Sequence, residues 1–260
     1  MANEDAKSLE AMFRLDGRTV LVIGASRGIG RHAALTCARA GASLVLASRA
    51  TDDLEEVAKE ARAAGAPDAV VAPTDATDEA AVEAAVALAA ERSGKLDVLI
   101  HVAGGQQFFA SLAETRTAGW DKVMALNLRS PFLACRAALP RMPRGGAIVN
   151  VASVAGLSSS PTIGPYGAAK AGLVNLTRTL AVEAAPQGVR VNCLAPGWVR
   201  TELTRRMWSD PVVSQATVGD VPMGRWGEVE ELAGPLLLLA SDAGSYITGA
   251  TLVVDGGGLA

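Results

Sequence analysis

Short β-rich apolar runs alternate with helix-forming stretches along nearly the whole chain, and this rhythm constrains the fold more than any single motif does. Residues 19–23 (TVLVI) are followed by a glycine cluster and a helical stretch at 31–40. Residues 43–47 (SLVLA) repeat the strand, a helix over 52–64 opens on Asp52-Asp53 and closes at Gly65, and 69–72 make a third strand. The same alternation gives a helix at 78–92, a buried strand at 96–102, one long helix over 117–141 that tolerates Pro131, and a strand at 147–152. A helix at 164–185, a strand at 189–195, a helix at 228–240 and a strand at 251–254 complete the series. Such alternation predicts an α/β fold, a parallel sheet of about seven strands with right-handed crossovers and helices on both faces.

The 260 residues suit one large α/β domain, and no linker divides them, so residues 1–260 read as a single domain. Residues 198–226 break the rhythm with three tryptophans, two methionines and two prolines, which predicts a lid or substrate wall. Half of the residues are apolar, yet no run approaches the roughly 18–20 needed to span a bilayer. A formal charge of −3, with Lys and Arg scattered, argues against nucleic acid as a partner. The acidic start lacks an apolar signal region, so the expected location is the cytoplasm. Cys37, Cys135 and Cys193 sit in apolar segments and read as buried free thiols, and no Cys/His/acid spacing suggests a metal.

Gly24-Ala25-Ser26-Arg27-Gly28-Ile29-Gly30 lies directly after the first strand and opens a helix. In that context glycines let the backbone approach a pyrophosphate, while the helix N-terminus offers free N–H groups and partial positive charge. Where an acid selective for a ribose 2′-hydroxyl would stand, after the second strand, the chain has Ser48-Arg49. Arg27 and Arg49 suit the extra phosphate of NADP, with Ser48 adding a neutral hydrogen bond. NADP(H) is therefore the expected cofactor, with NAD(H) possible.

Tyr166 and Lys170, four residues apart on a helix, share one face. A phenol with a pKa of about 10 is a weak acid near neutral pH, and a neighbouring cation favours its phenolate. Ser153 follows the strand 147–152, at the edge where open α/β sheets bind ligands. These three residues form a candidate acid/base site.

With the glycine turn, Ser153, Tyr166 and Lys170 in this order, the chain from about Gly17 onward resembles a short-chain dehydrogenase/reductase of the single-domain Rossmann type. Asn127 in WDKVMALN, Pro196-Gly197 with Thr201, and Asp255-Gly256-Gly257 extend the likeness. The resemblance implies a doubly wound sheet in the order 3-2-1-4-5-6-7 and a catalytic tetrad. In it Tyr166 donates a proton to a carbonyl and Ser153 hydrogen-bonds the carbonyl oxygen. Lys170 lowers the tyrosine pKa and holds the nicotinamide ribose, and Asn127 positions a water. It further implies Asp75 and Ala76 near the adenine, Ala103 and Gly104 in the motif after strand four, and Pro196, Gly197, Val199 and Thr201 around the nicotinamide. A homotetramer or homodimer built through the helices around 118–136 and 167–185 is implied as well.

Two positions depart from the family pattern: Ile23 replaces the usual Thr before the first glycine, and His101-Val102 replaces the usual Asn-Asn. Ile23 beside Val102 reads as a compensated apolar pair. His101, inside a strand, reads as a structural imidazole. The expected reaction interconverts a ketone and a secondary alcohol on a small or medium-sized, largely apolar substrate. Phe108, Phe109, Leu157, Ile163, Trp198, Met207 and Trp208 are the candidate apolar lining, with Gln106 as a polar contact. The alternatives are a 3-oxoacyl-thioester reductase, with Arg129, Arg205 and Arg206 receiving an acidic carrier, and a catalytically idle cofactor-binding sensor or scaffold.

Overall fold

A computed structural model describes residues 8–106 and 108–260. The first seven residues of the acidic start lie outside the described residues. Seven parallel strands form one sheet in the order β3-β2-β1-β4-β5-β6-β7. They are β1 (Thr19–Ile23), β2 (Ser43–Ser48), β3 (Ala69–Pro73), β4 (Val98–His101), β5 (Ala147–Val151), β6 (Arg190–Pro196) and β7 (Thr251–Val254). The order reverses between β1 and β4, which opens a crevice at the carboxyl edge of the sheet.

A short helix α1 (Leu9–Met12) precedes the sheet; α2 (Gly28–Arg39), α3 (Thr51–Ala63) and α4 (Glu79–Ser93) form the crossovers of the first half. Asp78 caps α4 by accepting from the Ala80 and Ala81 N–H groups, and Gly94 ends it in the left-handed conformation. One apolar layer, the upper, packs α2, α3 and a late helix against one sheet face through Val20, Val22, Leu44 and Leu46. The opposite, lower layer packs α4 and the helices after β4 through Leu21, Ile23, Val45 and Leu99. Alternate residues of each central strand thus face opposite layers, as the two-residue period of a strand requires, and both faces are covered.

The expected long helix at 117–141 is divided. It consists of α5 (Thr117–Met124), a π-helical turn over Ala125–Arg129, α6 (Ser130–Ala138) and a 3-10 turn over Leu139–Arg141. Pro131 has no N–H, so the carbonyl four residues earlier, on Asn127, loses its α-helical donor. The backbone widens there, and the Ser130 N–H reaches back five residues to the Ala125 carbonyl. The helix at 228–240 also divides, into a 3-10 turn over Val229–Leu232 and α10 (Ala233–Ala240). Helix α7 (Gly164–Ala184) is continuous.

Residues 198–226 carry two short helices, α8 (Arg205–Trp208) and α9 (Pro211–Val218). They fold around a small apolar cluster of Val218, Val221 and Trp226, against which Met207 and Trp208 pack. Among the described residues no helix is long and apolar enough to cross a membrane.

Candidate active site

The glycine turn is built for close backbone approach. A Cβ on Gly30 would lie 1.9 Å from the Gly24 carbonyl oxygen, and one on Gly24 would lie 2.6 Å from the Ala103 nitrogen. Gly24 and Gly28 have φ of +94° and +54°, which glycine adopts without a Cβ penalty. Helix α2 therefore starts at the crevice, and its Arg27 N-cap makes no side-chain capping bond, so the first-turn N–H groups stay available to an anion. Among the described residues the Arg27 and Arg49 side chains make no hydrogen bond or salt bridge, and both are exposed. Ser48 accepts from the Ala50 N–H. Asp75 is held below the usual carboxylate range, first by the Thr77 N–H and hydroxyl and also by the charge of Arg49. Ala76 is buried in the lower layer. The donor set, an open helix N-terminus flanked by two uncommitted guanidinium groups, fits a phosphorylated dinucleotide.

The remaining expected cofactor contacts differ in exposure. Ser26 is half-buried, Ile29 packs against the upper layer, and Val199 is itself part of that core. Pro196 ends β6, and Gly197 abuts Asp255 so closely that a Cβ there would lie 2.6 Å away. The Thr201 hydroxyl pairs with that of Thr204 at 3.1 Å, and the Thr204 hydroxyl donates to the Val199 carbonyl at 2.7 Å, tying the start of the lid to the end of β6.

Across the crevice the backbone brings Asn127, Ser153, Tyr166 and Lys170 together. Ser153 follows β5 and accepts from the Ala155 N–H, which fixes the 3-10 turn Val154–Gly156. Gly156 and Gly167 let α7 close on that turn; a Cβ on Gly156 would lie 2.6 Å from the Lys170 carbonyl carbon, and one on Gly167 would lie 2.9 Å from the Ala155 oxygen. Gly167 thus makes an internal contact. Lys170 is buried and donates to the Val151 carbonyl at 2.7 Å, with its nitrogen 5.6 Å from the centroid of the Tyr166 ring. Gly104 seats two of these groups, since a Cβ there would lie 2.8 Å from Asn127 Oδ1 and 3.2 Å from Lys170 Nζ. Asn127 is fully buried and clasps the next residue from both sides: Oδ1 accepts from the Gly105 N–H at 2.9 Å, and Nδ2 donates to the Gly105 carbonyl at 3.1 Å.

The electrostatics revise one expectation. Desolvation pushes the Tyr166 phenol up from its ordinary value, and the opposing influence is hydrogen bonding to Ser153, not the Lys170 charge. The ammonium is turned to the Val151 carbonyl, and its own burial lowers it to about 8. The site holds a protonated phenol beside a strained-down ammonium, a proton donor and a cation within one cleft.

The two departures at the sheet edge are accommodated otherwise than by an Ile23–Val102 pair. Ile23 pairs in register with His101 and belongs to the lower layer, whereas Val102 packs into the upper one. Successive strand residues point to opposite faces, so the side chains of Ile23 and Val102 are separated by the sheet, and only the Val102 N–H to Ile23 carbonyl bond, 2.8 Å, joins them. His101 is buried and its Nε2 lies 2.7 Å from the Ser130 hydroxyl. Burial first, and then the Lys170 charge, lower its pKa to about 3, so it is a neutral structural imidazole. Nothing in the sequence marked Ser130 as its partner, because the pairing arises from the π turn. The three cysteines are buried free thiols, with burial raising Cys37 and Cys135 to about 12 and Cys193 to about 11.

Loops leaving the strand ends carry exposed apolar side chains: Phe109 and Leu112 after β4, Leu157 after β5, and Trp198 and Leu203 after β6. Ile163 is half-buried at the start of α7. Phe108 turns onto α5, where a Cβ on Gly119 would meet its ring at 3.0 Å. Met207 and Trp208 serve the cluster inside the lid, with Trp208 Nε1 donating to the Thr201 carbonyl at 3.0 Å. Two loops are joined where the Ala110 N–H donates to the Thr162 carbonyl at 2.9 Å; Thr162 sits at φ +64°, a strained conformation for a β-branched residue. Arg129 bonds the Thr77 carbonyl and Glu79 and lines a groove of about 600 Å³ between the α5–α6 stretch and α7, whereas Arg205 lies on α8 and pairs with Glu202.

Residues 24–258 match the family described as Enoyl-(Acyl carrier protein) reductase. The chain belongs to that family, and so to the short-chain dehydrogenases/reductases with a Rossmann fold. It is 40% identical over 248 residues to gluconate 5-dehydrogenase of Gluconobacter oxydans, covering 95% of this chain and 96% of the relative. It is 35% identical over 248 residues to a 3-oxoacyl-[acyl-carrier-protein] reductase of Thermotoga maritima, with 94% and 99% covered. Among solved structures, a gluconate 5-dehydrogenase from Burkholderia cenocepacia in complex with NADP and tartrate superposes with a TM-score of 0.90 at 36% identity, covering 97% of this chain and 99% of that one. The chain is accordingly an oxidoreductase of the dehydrogenase/reductase type, acting on alcohol or carbonyl substrates.

Proposed function

We propose that this enzyme interconverts a ketone and a secondary alcohol with NADP(H), using Tyr166 as the general acid and base. The observation that carries the reading is the chain of contacts that joins Asn127 and Lys170 at Gly104, Lys170 to the Tyr166 ring and Tyr166 to Ser153, at the sheet edge where α2 begins. When bound there, NADP(H) supplies or accepts the hydride. Arg27 and Arg49 receive the 2′-phosphate, and the glycine turn with the α2 N-terminus receives the pyrophosphate. In the reducing direction negative charge develops on the substrate oxygen, where the Tyr166 and Ser153 hydroxyls bind it more strongly than they bind the ketone. Tyr166 gives its proton to that oxygen. The Ser153 hydroxyl, whose hydrogen bond opposes the desolvation of the phenol, favours the phenolate left behind. The Asn127 carbonyl, deprived of a helical donor by Pro131, is available to a water that returns the proton from solvent.

The groove between the α5–α6 stretch and α7, lined by Met124, Leu128, Phe132 and Leu176, supports self-association through that face, which a native-mass measurement tests.

The test is NADPH oxidation, with NADH in parallel, over ketones and β-ketoacyl thioesters. Tyr166→Phe is expected to keep NADPH binding while losing about 10²–10⁴-fold in turnover. Near-normal turnover by the variant removes Tyr166 from the mechanism, and tight NADPH binding without turnover of any carbonyl favours the sensor or scaffold.

A further inference from the structure

Four buried side-chain polar atoms lack a hydrogen-bond partner among the described residues: His32 Nε2, Thr36 Oγ1, Thr251 Oγ1 and Gln106 Oε1. The first two lie on α2 and the third on β7. Gln106 alone belongs to the loop beside the tetrad. Its neighbour Gly105 is pinned by both ends of the Asn127 amide and faces the lid on its other side, where a Cβ would lie 3.6 Å from Leu203. Gln106 is therefore the first side chain to emerge from the junction of tetrad and lid, from a backbone that cannot move freely. Neither end of its amide is bonded to another described residue.

A buried amide oxygen left without a partner costs stability, and a protein retains one where a ligand completes it. The chemistry of the missing partner follows from the group. A primary amide offers an acceptor and a donor side by side, which a hydroxyl satisfies in either sense. An alkyl group would leave both bare, and a carboxylate would set its oxygens against Oε1. The lid side chain that adjoins Gly105, Leu203, is apolar and offers the amide no partner.

We propose that Gln106 is a specificity-determining residue that holds a substrate hydroxyl, so that this site takes hydroxy ketones and the corresponding diols in preference to plain ketones. The proposal rests on the carbonyl-reductase reading above and adds the substrate class. A site that hydrogen-bonds a hydroxyl discriminates strongly against the analogue lacking it, because the buried amide oxygen is then left unpaired.

The experiment compares kcat/KM with NADPH for butan-2-one, 3-hydroxybutan-2-one and 4-hydroxybutan-2-one, in the wild type and in Gln106→Leu and Gln106→Met. The wild type is expected to prefer at least one hydroxy ketone by about tenfold or more. Both variants are expected to bring that ratio to within about threefold of unity, whatever happens to the absolute rates. Without substrate, Gln106→Leu is expected to melt no lower than the wild type, since it removes an unpaired buried acceptor; a purely structural glutamine would instead lower the melting temperature and leave the ratio alone. A wild type without preference, or a ratio unchanged in either folded variant, overturns the assignment while leaving the oxidoreductase reading intact. Turnover of no ketone by the wild type overturns both.

Discussion

Replacing His101 by Asn is expected to flatten part of the acid sensitivity of this fold. In the folded chain the imidazole is buried, its Nε2 is engaged by Ser130, and its pKa is lowered to about 3 from an ordinary 6.5. Burial is the larger cause and the nearby Lys170 ammonium the second, both acting against a proton on His101. As pH falls below 6.5 the unfolded chain takes up that proton and the folded chain does not, so stability drops. The contribution is fully present above the unfolded pKa and is lost progressively on the way down to the folded one. One pKa unit corresponds to about 1.4 kcal/mol, so descending roughly two units below the unfolded value removes about 2–3 kcal/mol. Asn does not titrate in this range. At neutral pH His101→Asn is expected to be the less stable protein, by about 1–3 kcal/mol, because Ser130 loses its partner and the smaller side chain leaves space. That deficit shrinks by about 2–3 kcal/mol as pH is lowered to about 4.5. Urea unfolding of both proteins at four pH values between about 7.5 and 4.5 reads the difference directly. His32, whose pKa burial also lowers, and the carboxylates are common to both proteins and cancel in the comparison. Parallel stability curves would mean that His101 is protonated or solvated in the native state, and the buried neutral imidazole would have to be abandoned.

Arg49→Asp is expected to move the kcat/KM preference from NADPH toward NADH by at least about tenfold, by placing a negative charge where a 2′-phosphate would lie; an unchanged ratio takes Arg49 out of the cofactor site. Gly30→Ala would set a methyl 1.9 Å from the Gly24 carbonyl oxygen, and is expected to cost at least the roughly 1–3 kcal/mol typical of overpacking, together with cofactor binding. Thermal melting and NADPH titration check it, and a variant that melts and binds normally contradicts the packing described. Pro131→Ala restores a helical N–H opposite the Asn127 carbonyl, and is expected to lower turnover while leaving NADPH affinity within about twofold, if that carbonyl serves a water. Unchanged turnover assigns the proline to folding alone.

The order of elements was legible because each strand is a short apolar run between turn signals, and its two-residue period decides which layer each side chain joins. The tetrad was legible in type because phenol, ammonium and hydroxyl chemistry is tied to few residues. What the spacing of residues along the chain does not carry is their mutual placement across it. The residues 117–141 have helical composition throughout, yet the proline's missing donor at 131 acts four residues upstream and opens a π turn at Asn127. Ser130 then reaches His101, and the two ends of the Asn127 amide close on Gly105. None of these bonds has a sequence signature, since each depends on one wide turn. Likewise the sequence does not distinguish a lid side chain that faces a substrate from one that packs on Trp226, and Met207 and Trp208, half-buried against the lid cluster, present a face to each side.

The sheet edge shows how this chain tolerates its departures from the family pattern. Ile23 and His101 are register partners on adjacent strands, one apolar and one polar, and both face the lower layer. An apolar replacement at the first position removes a polar group that would need a partner, and the imidazole at the second finds one in Ser130, on the far side of the π turn. Because the same turn presents Asn127 to Gly105, the imidazole's anchor and the tetrad's fourth member share one piece of backbone. Loss of the His101–Ser130 bond should therefore be felt at Asn127 as well as in stability. A His101→Asn protein that loses stability but keeps the wild-type pH profile of turnover would show that the turn holds its shape without the imidazole, leaving Pro131 and the Gly105 clasp as its sole determinants.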